Sequence, residues 1–414
     1  VEPGGGLEIE VAVTAASEDG PAAGPPPRLA DALGRLRGAE GRLPARAPRV
    51  SSDHEPLNVL VQRSWLDLNM LLTDTPQGRI PYAGVPWYVA PFGRDSLITA
   101  HQLLPWDPEV AAATLRFLAH WQGRRDDPFR DEEPGKILHE YRRGEMANLR
   151  EIPFIPYYGS VDATPLFVVL LGDYVRWTGD LALARALAPA VRAAVDWIRE
   201  RIRRDGWLTY SRRSPLGLGN QGWKDSGDAV FHADGSLARG PIALAEVQGY
   251  VHAAKREAAR LALRMGDRAR ADALEREAEA LRHRFDAAFW SEELGCYAFA
   301  LDGEKRPCLV RSSNAGQLLF TGIVGPERAA RLVALLTAPA FFSGWGIRTI
   351  AEGEARYNPM SYHNGSIWPH DNALIALGFA RAGFGEAALK VFGALIDAAA
   401  AMDLRRLPEL YCGF

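Results

Sequence analysis

Helix-period stripes of apolar residues succeed one another from about residue 55 to residue 401, and that succession limits the fold more than any other feature. The clearest segments are 55–73, 96–104, 108–122, 162–177, 180–203, 243–265, 267–289, 313–321, 326–337, 366–382 and 385–401. Strand signals are short and scattered, at 208–210 and 296–299, and read as loop hairpins. A run of eleven helices is a repeat-like array in which helix must bury itself against helix. The segment 267–289 is rich in Asp, Glu and Arg with one apolar stripe, so its place is on an outer surface.

The helices come in two kinds. One kind starts plainly. The other starts with a polar, aromatic or glycine-containing signature: Phe92-Gly-Arg-Asp-Ser96, Tyr158-Gly-Ser-Val-Asp-Ala-Thr-Pro165, Ala243-Leu-Ala-Glu-Val-Gln248, Ser312-Ser-Asn-Ala-Gly-Gln317 and Tyr362-His-Asn-Gly-Ser-Ile-Trp-Pro369. One signature per helix pair predicts an α/α toroid, with parallel inner helices and outer helices returning the chain. Helix N-termini expose unpaired N–H groups and the positive end of the helix dipole. A ring of them makes a polar-lined bowl. The competing explanation is that the Asp, Ser and Asn residues are simple N-caps; capping alone does not account for the aromatic residues, the glycines, Arg94, Lys224 or His363.

Ahead of the helices, residues 7–14 alternate apolar and polar residues as a strand does. Residues 18–50 are rich in Pro, Gly and Ala, with Gly24-Pro-Pro-Pro27, and then basic and amphipathic near 28–42. They read as a linker and a connecting helix. The expected organisation is a β remnant at 1–20, a linker and connecting helix at 21–53 and a helical domain at 54–414. A start at Val1 and a stop at Phe414 lead to the expectation of a piece of a longer protein.

Composition removes several function classes. Hydrophobic residues are 47% and charged residues 24%, in the globular range. With 48 basic and 51 acidic residues the formal charge is −3, without the basic excess of a nucleic-acid binder. No apolar run is long enough to cross a membrane as a helix. Three cysteines, Cys296, Cys308 and Cys412, form neither a disulfide framework nor a zinc-ligand spacing, so a reducing, cytoplasmic setting is expected. His363 and His370 are separated by Pro369 at a helix entry, and no metal or other cofactor is expected. Neither a Walker loop nor the Gly-x-Ser-x-Gly elbow is present.

The densest reactive cluster is Asn220-Gln-Gly-Trp-Lys-Asp-Ser-Gly-Asp228, in a loop between helices. A carboxylate beside an indole is partly desolvated, which raises its pKa and suits a general acid. Both Asp225 and Asp228 are candidates. A second cluster closes the chain: Arg405-Arg-Leu-Pro-Glu-Leu-Tyr-Cys-Gly-Phe414. Polar groups at the ring positions are Arg94, Asp95, Asp162, Glu246, Gln248, His363, Asn364 and Asp371, with Trp87, Tyr88, Trp223 and Trp368 near them in sequence. Aromatic platforms among hydrogen-bonding groups suit a sugar, whose faces are apolar and whose rim is hydroxyl.

Together, Gly93-Arg-Asp-Ser-Leu-Ile98, Val161-Asp-Ala-Thr-Pro-Leu-Phe167, Trp223-Lys-Asp-Ser-Gly-Asp228, Ala245-Glu-Val-Gln248, Tyr362-His-Asn-Gly-Ser-Ile-Trp-Pro369 and Leu407-Pro-Glu-Leu410 resemble bacterial glycogen-debranching-type amylo-α-1,6-glucosidases. More broadly they are similar to the (α/α)6-barrel glycoside hydrolases that include glucoamylases and trehalases. The resemblance covers roughly 55–414 and implies an (α/α)6 toroid of the six-hairpin glycosidase type. The stretch at 7–14 would be the last strand of a preceding β-sandwich. The family's last inner helix would follow the base, so it is expected to be missing here. The resemblance implies an inverting hydrolase that releases glucose from α-glucosidic, α-1,6 linkages of an α-glucan or oligosaccharide. Asp225 matches the general acid and Glu409 the general base. Arg94, Asp95, Asp162, Trp223, Lys224, Asp228, Glu246, Gln248, His363, Asn364 and Trp368 would form the sugar subsite. The alternatives are a clan relative acting on trehalose-like or mannosyl substrates, a phosphorolytic relative and a non-catalytic carbohydrate-binding toroid.

Overall fold

The structure, a computed structural model, describes Val11, residues 28–34 and residues 50–414. The expected strand at 7–14 and most of the linker lie outside the described residues. The chain divides into a unit up to Val50 and a compact unit over Ser51–Phe414. In the first unit the described residues include a helical stretch at 29–34.

In the second unit, besides a single four-residue turn of helix at Glu145–Asn148, the helices are α1 (Glu55–Leu71), α2 (Gly93–Leu103), α3 (Pro108–His120), α4 (Ala163–Thr178), α5 (Leu181–Asp205), α6 (Ala245–Arg264), α7 (Arg268–Phe289), α8 (Asn314–Thr321), α9 (Pro326–Leu336), α10 (Pro369–Arg381) and α11 (Gly385–Ala401). All eleven fall on the periodic segments read from sequence. The even members pack side by side in the order α2, α4, α6, α8, α10 and form the inner ring. Each packs against the odd-numbered helix that follows it, and α11 packs against α1. This is the (α/α)6 toroid, and no sixth inner helix stands among the described residues.

Burial follows from composition. In α4 every residue from Ala163 to Val175 is buried, because it has neighbours on both flanks and an outer helix behind. In α7 only the stripe Ala271, Leu274, Ala278, Leu281, Phe285 and Phe289 is buried, and the charged remainder faces solvent, as expected of an outer helix.

The helix starts differ in their capping. Asp180 caps α5 by accepting from the Ala182 and Leu183 amides, and Asp267 caps α7 from Arg270. None of the five inner helices has a side-chain cap, although Asp162 and Ser313 occupy N-cap positions. Their polar residues are turned to other partners, and the positive helix ends are left toward the bowl.

Two elements depart from the sequence reading: 208–210 forms no local hairpin, Tyr210 making an isolated bridge with the distant Ile242, and the first helix ends early. The periodic segment at 55–73 stops as helix at Leu71, and Leu72–Thr75 pairs antiparallel with Gly78–Pro81. The turn at Thr75-Pro-Gln-Gly78 carries the hairpin signal. Gly78 has φ +118, and a Cβ there would lie 2.9 Å from the Ala113 Cβ. The second strand of the hairpin packs on α3 and α2. Near 296–299, Cys296–Tyr297 pairs with Trp290–Ser291, a loop hairpin as expected.

Candidate active site

Between the N-terminal ends of α2 and α10, and along α1 and α2 as far as Leu68 and Gln102, lies a cavity of about 410 Å³, a size suited to a small ligand. Asp225 edges it from the 220–228 loop and Glu409 from the closing segment. Another groove, of about 530 Å³, lies outside the ring between α3 and α5; it is lined by Arg116, His120 and Arg124 and holds no carboxylate.

Arg94, in the first turn of α2, organises the floor. Its Nη1 lies 3.2 Å from Asp162 Oδ2 and donates to the Gly222 carbonyl at 3.2 Å. Its Nη2 is 3.5 Å from Asp225 Oδ2, and its Nε is 3.9 Å from Asp95 Oδ2. One guanidinium thus gathers three carboxylates, a task suited to its fixed fork of donors. Gly93 lets α2 approach this closely, since a Cβ there would collide with the Leu138 carbonyl and crowd Ala163 Cβ at 3.1 Å.

The 220–228 loop is clamped from several sides. Lys224 Nζ donates to Ser312 Oγ at 2.9 Å and to the Thr349 carbonyl at 2.6 Å. Asn220 accepts from the Tyr210 hydroxyl at 2.7 Å and donates to the Ser226 carbonyl at 2.7 Å. Ser226 Oγ meets His363 Nδ1 at 2.8 Å. Asn364 Nδ2 donates to Asp228 Oδ2 at 3.1 Å and to the Asp228 carbonyl at 3.2 Å.

These contacts leave Asp225 a carboxyl 28% exposed at the cavity wall. Burial raises its pKa, Arg94 opposes the rise, and the nearby Asp95 and Asp162 add to it; the result is a value pushed up to about 6. Burial also raises Asp95. Glu409 has a different setting. It is exposed at the mouth, and its Oε1 accepts from the Tyr362 hydroxyl at 2.7 Å. Its segment is fixed two residues on, where Tyr411 exchanges backbone hydrogen bonds with Ile367 at 2.9 and 3.0 Å.

Aromatic rings form the walls. His363 stacks on Trp368 with centroids 5.1 Å apart, and Trp223 meets Trp368 edge-on at 5.7 Å. His370 packs its ring edge-on against Trp223 at 4.9 Å. Burial pulls His363 down to about 2 and His370 down to about 3, so both are neutral rings.

The residues singled out from sequence separate into two groups. Arg94, Asp95, Trp223, Asp225, His363, Trp368 and Glu409 line the cavity. Asp162, Lys224, Glu246, Gln248 and Asn364 are buried beside or beneath it. Gln248 has both amide atoms on backbone groups of Leu208 and Leu244. Glu246 is 1% exposed; burial pushes it up to about 7, with Asn314 and Lys224 opposing the rise. Asp228 is exposed outside the cavity lining. Among the cavity residues absent from the sequence-derived subsite are Tyr362, which holds Glu409, and His370, weighed there only as a metal ligand. The period-seven spacing of His363 and His370 was visible, but which rings they touch depends on the loop before α10. Among the described residues no cluster of His, Cys, Asp and Glu could hold a metal ion.

The chain's similarities agree with this architecture. The family described as the mannosylglycerate hydrolase MGH1-like glycoside hydrolase domain matches residues 94–407. No curated protein matches. Among solved structures, the GH63 mannosylglycerate hydrolase from Thermus thermophilus in complex with Tris superposes with a TM-score of 0.61 at 15% identity, over 87% of this chain and 94% of that one. The same enzyme in complex with glucose gives 0.62 at 16% identity, over 85% and 94%. The GH78 family rhamnosidase of Bacillus sp. GL1 gives 0.64 at 16% identity, over 88% of this chain and 32% of that one.

Proposed function

Because this chain belongs to the MGH1-like glycoside hydrolases, we propose that it hydrolyses a terminal α-glycosidic bond with inversion, Asp225 acting as general acid and Glu409 as general base. One observation carries the assignment: of the three carboxyl groups that line the cavity, Asp225 and Glu409 stand in contrasting surroundings, while Asp95 sits in the first turn of α2 beside Arg94. Asp225, raised to about 6, keeps its proton to higher pH than an ordinary carboxyl. Asp228, the rival acid, is outside the cavity lining and holds Asn364 instead.

The reaction follows from the two roles. The Asp225 carboxyl gives its proton to the glycosidic oxygen as the bond to the anomeric carbon breaks. Glu409 takes a proton from a water on the other ring face, and that water's oxygen bonds to the anomeric carbon. Inverting enzymes keep the two carboxyls about 6.5–9.5 Å apart to admit the water. Tyr362, donating to Glu409, fixes the direction of its carboxylate. Arg94 and Asp95 bind hydroxyls of the terminal sugar, and Trp223 and Trp368 wall its ring. Lys224, Asp162, Glu246, Gln248 and Asn364 act from beneath, by holding the acid loop and the inner-helix ends.

The terminal sugar is glucosyl or mannosyl. The glycogen-debranching resemblance favours an α-1,6-linked glucose of an α-glucan or oligosaccharide. The family's description, naming a mannosylglycerate hydrolase, favours a mannosyl glycoside, including one of a small hydroxy acid. Incubation with panose, maltotriose, mannosylglycerate and an α-mannobiose separates these, with the released sugar identified by chromatography. Glucose from panose supports the first and mannose the second. Binding without release from any of them refutes hydrolysis and leaves a carbohydrate-binding toroid.

A further inference from the structure

The cavity has two tiers of aromatic side chains. Trp223 and Trp368 at its base are 3% and 6% exposed. At its mouth are Tyr362, Tyr88 and Trp87, at 40%, 44% and 77%. Trp87 lines the same cavity as both carboxylates, yet most of its indole is open to water. Its neighbours Val85 and Val89 are also exposed, at 61% and 55%. Four large apolar side chains exposed within five residues form a patch, and patches of this kind mark binding surfaces.

The rim is held in place. Arg142 Nη1 donates to the Trp87 carbonyl at 3.4 Å, and its guanidinium lies over the Tyr88 ring at 5.7 Å. Arg142 is itself paired with the buried Glu140. Tyr88 rests edge-on against Phe92 at 5.9 Å. The indole is thus presented from a braced loop.

Charge narrows what it receives. Among the described residues lining the cavity, Arg94 is the one permanent cation, and it already faces Asp95, Asp162 and Asp225. Glu409 is a carboxylate at its mouth, Asp225 carries its proton when it acts as the acid, and Arg142 behind the rim is already paired with Glu140. A leaving group that carried a carboxylate would meet like charge without a free cation to pair it. A neutral ring with an apolar face meets no such penalty and covers the indole.

We propose that Trp87 is a specificity-determining platform for the leaving group, and that this leaving group is a neutral pyranose stacked on the indole rather than a small hydroxy acid. The proposal rests on the hydrolase reading above. It makes the natural substrate a disaccharide or the end of an oligosaccharide.

The test compares wild type, Trp87→Ala and Trp87→Phe on two substrates with the same terminal sugar. One is an α-linked disaccharide; the other is the glycosyl fluoride, whose leaving group cannot stack. Aromatic contacts of this kind correspond to about a tenfold effect. Trp87→Ala is expected to lose about tenfold more kcat/KM on the disaccharide than on the fluoride, chiefly through KM, and Trp87→Phe to recover most of it. Equal losses on both substrates, or none on either, overturn the platform. A wild-type chain that cleaves neither substrate refutes the hydrolase reading instead. The platform is then read by calorimetric titration with the disaccharide: about tenfold weaker binding by Trp87→Ala supports it, and equal binding overturns it.

Discussion

Replacing Asp225 by Asn separates the role of the acid from the cost of holding it. Asp225 has an ordinary value of 3.8 and sits at about 6 in the fold, mainly through burial, with the attraction of Arg94 already included. Between those two values, at about 1.4 kcal/mol per tenfold change, the fold bears about 3 kcal/mol of strain when the carboxyl is ionised. The sign follows from the raised value. Below pH 3.8 the group is protonated both folded and unfolded, and there is no cost. The cost grows as pH rises toward about 6 and is constant above. An amide has nearly the same shape and never ionises. Asp225→Asn is therefore expected to be more stable than wild type above about pH 6, by up to about 3 kcal/mol, with the gap closing below about pH 4. Urea unfolding of both proteins across that pH range measures it. The same variant loses about 10²–10⁴-fold in rate on a disaccharide, and less on a glycosyl fluoride, which departs without a proton. Wild-type kcat is expected to fall as pH rises through about 6. A stability gap that is absent, or that shrinks with rising pH, refutes the electrostatic reasoning.

Two further variants test the surroundings. Glu409→Gln is expected to lose about 10²–10⁴-fold in kcat with little change in KM, measured by steady-state kinetics, because the amide cannot take a proton from water. Lys224→Met leaves Ser312 Oγ and the Thr349 carbonyl without their buried donor; a stability loss of about 1–3 kcal/mol is expected in urea unfolding, with a lower kcat from a displaced acid loop.

Much of the fold was legible because helical periodicity is a local signal. Each of the eleven periodic segments is a helix, and the polar stripe of α7 faces outward as its composition required. The hairpin after α1 was missed because Leu72 and Thr73 continue the apolar pattern of the helix, while the turn at Gly78 depends on contact with Ala113. The site was legible as a set of inner-helix starts. Its layering was not. Glu246 and Gln248 look like ligand contacts in sequence, yet one is sealed beneath the loop and the other holds backbone groups of Leu208 and Leu244. Which polar residue faces the cavity is set by how the 220–228 and 362–371 loops cross above the helices. That crossing joins residues far apart in the chain, as in the Ser226–His363 contact, and no local pattern encodes it.

The anomer first released tests the central claim most directly. Proton NMR recorded within seconds of mixing enzyme with whichever α-glycoside it cleaves distinguishes the two forms before they equilibrate. Attack by a water held at Glu409, opposite to Asp225, predicts that the β-anomer appears first. The α-anomer appearing first would contradict inversion, and with it the division of labour between Asp225 and Glu409.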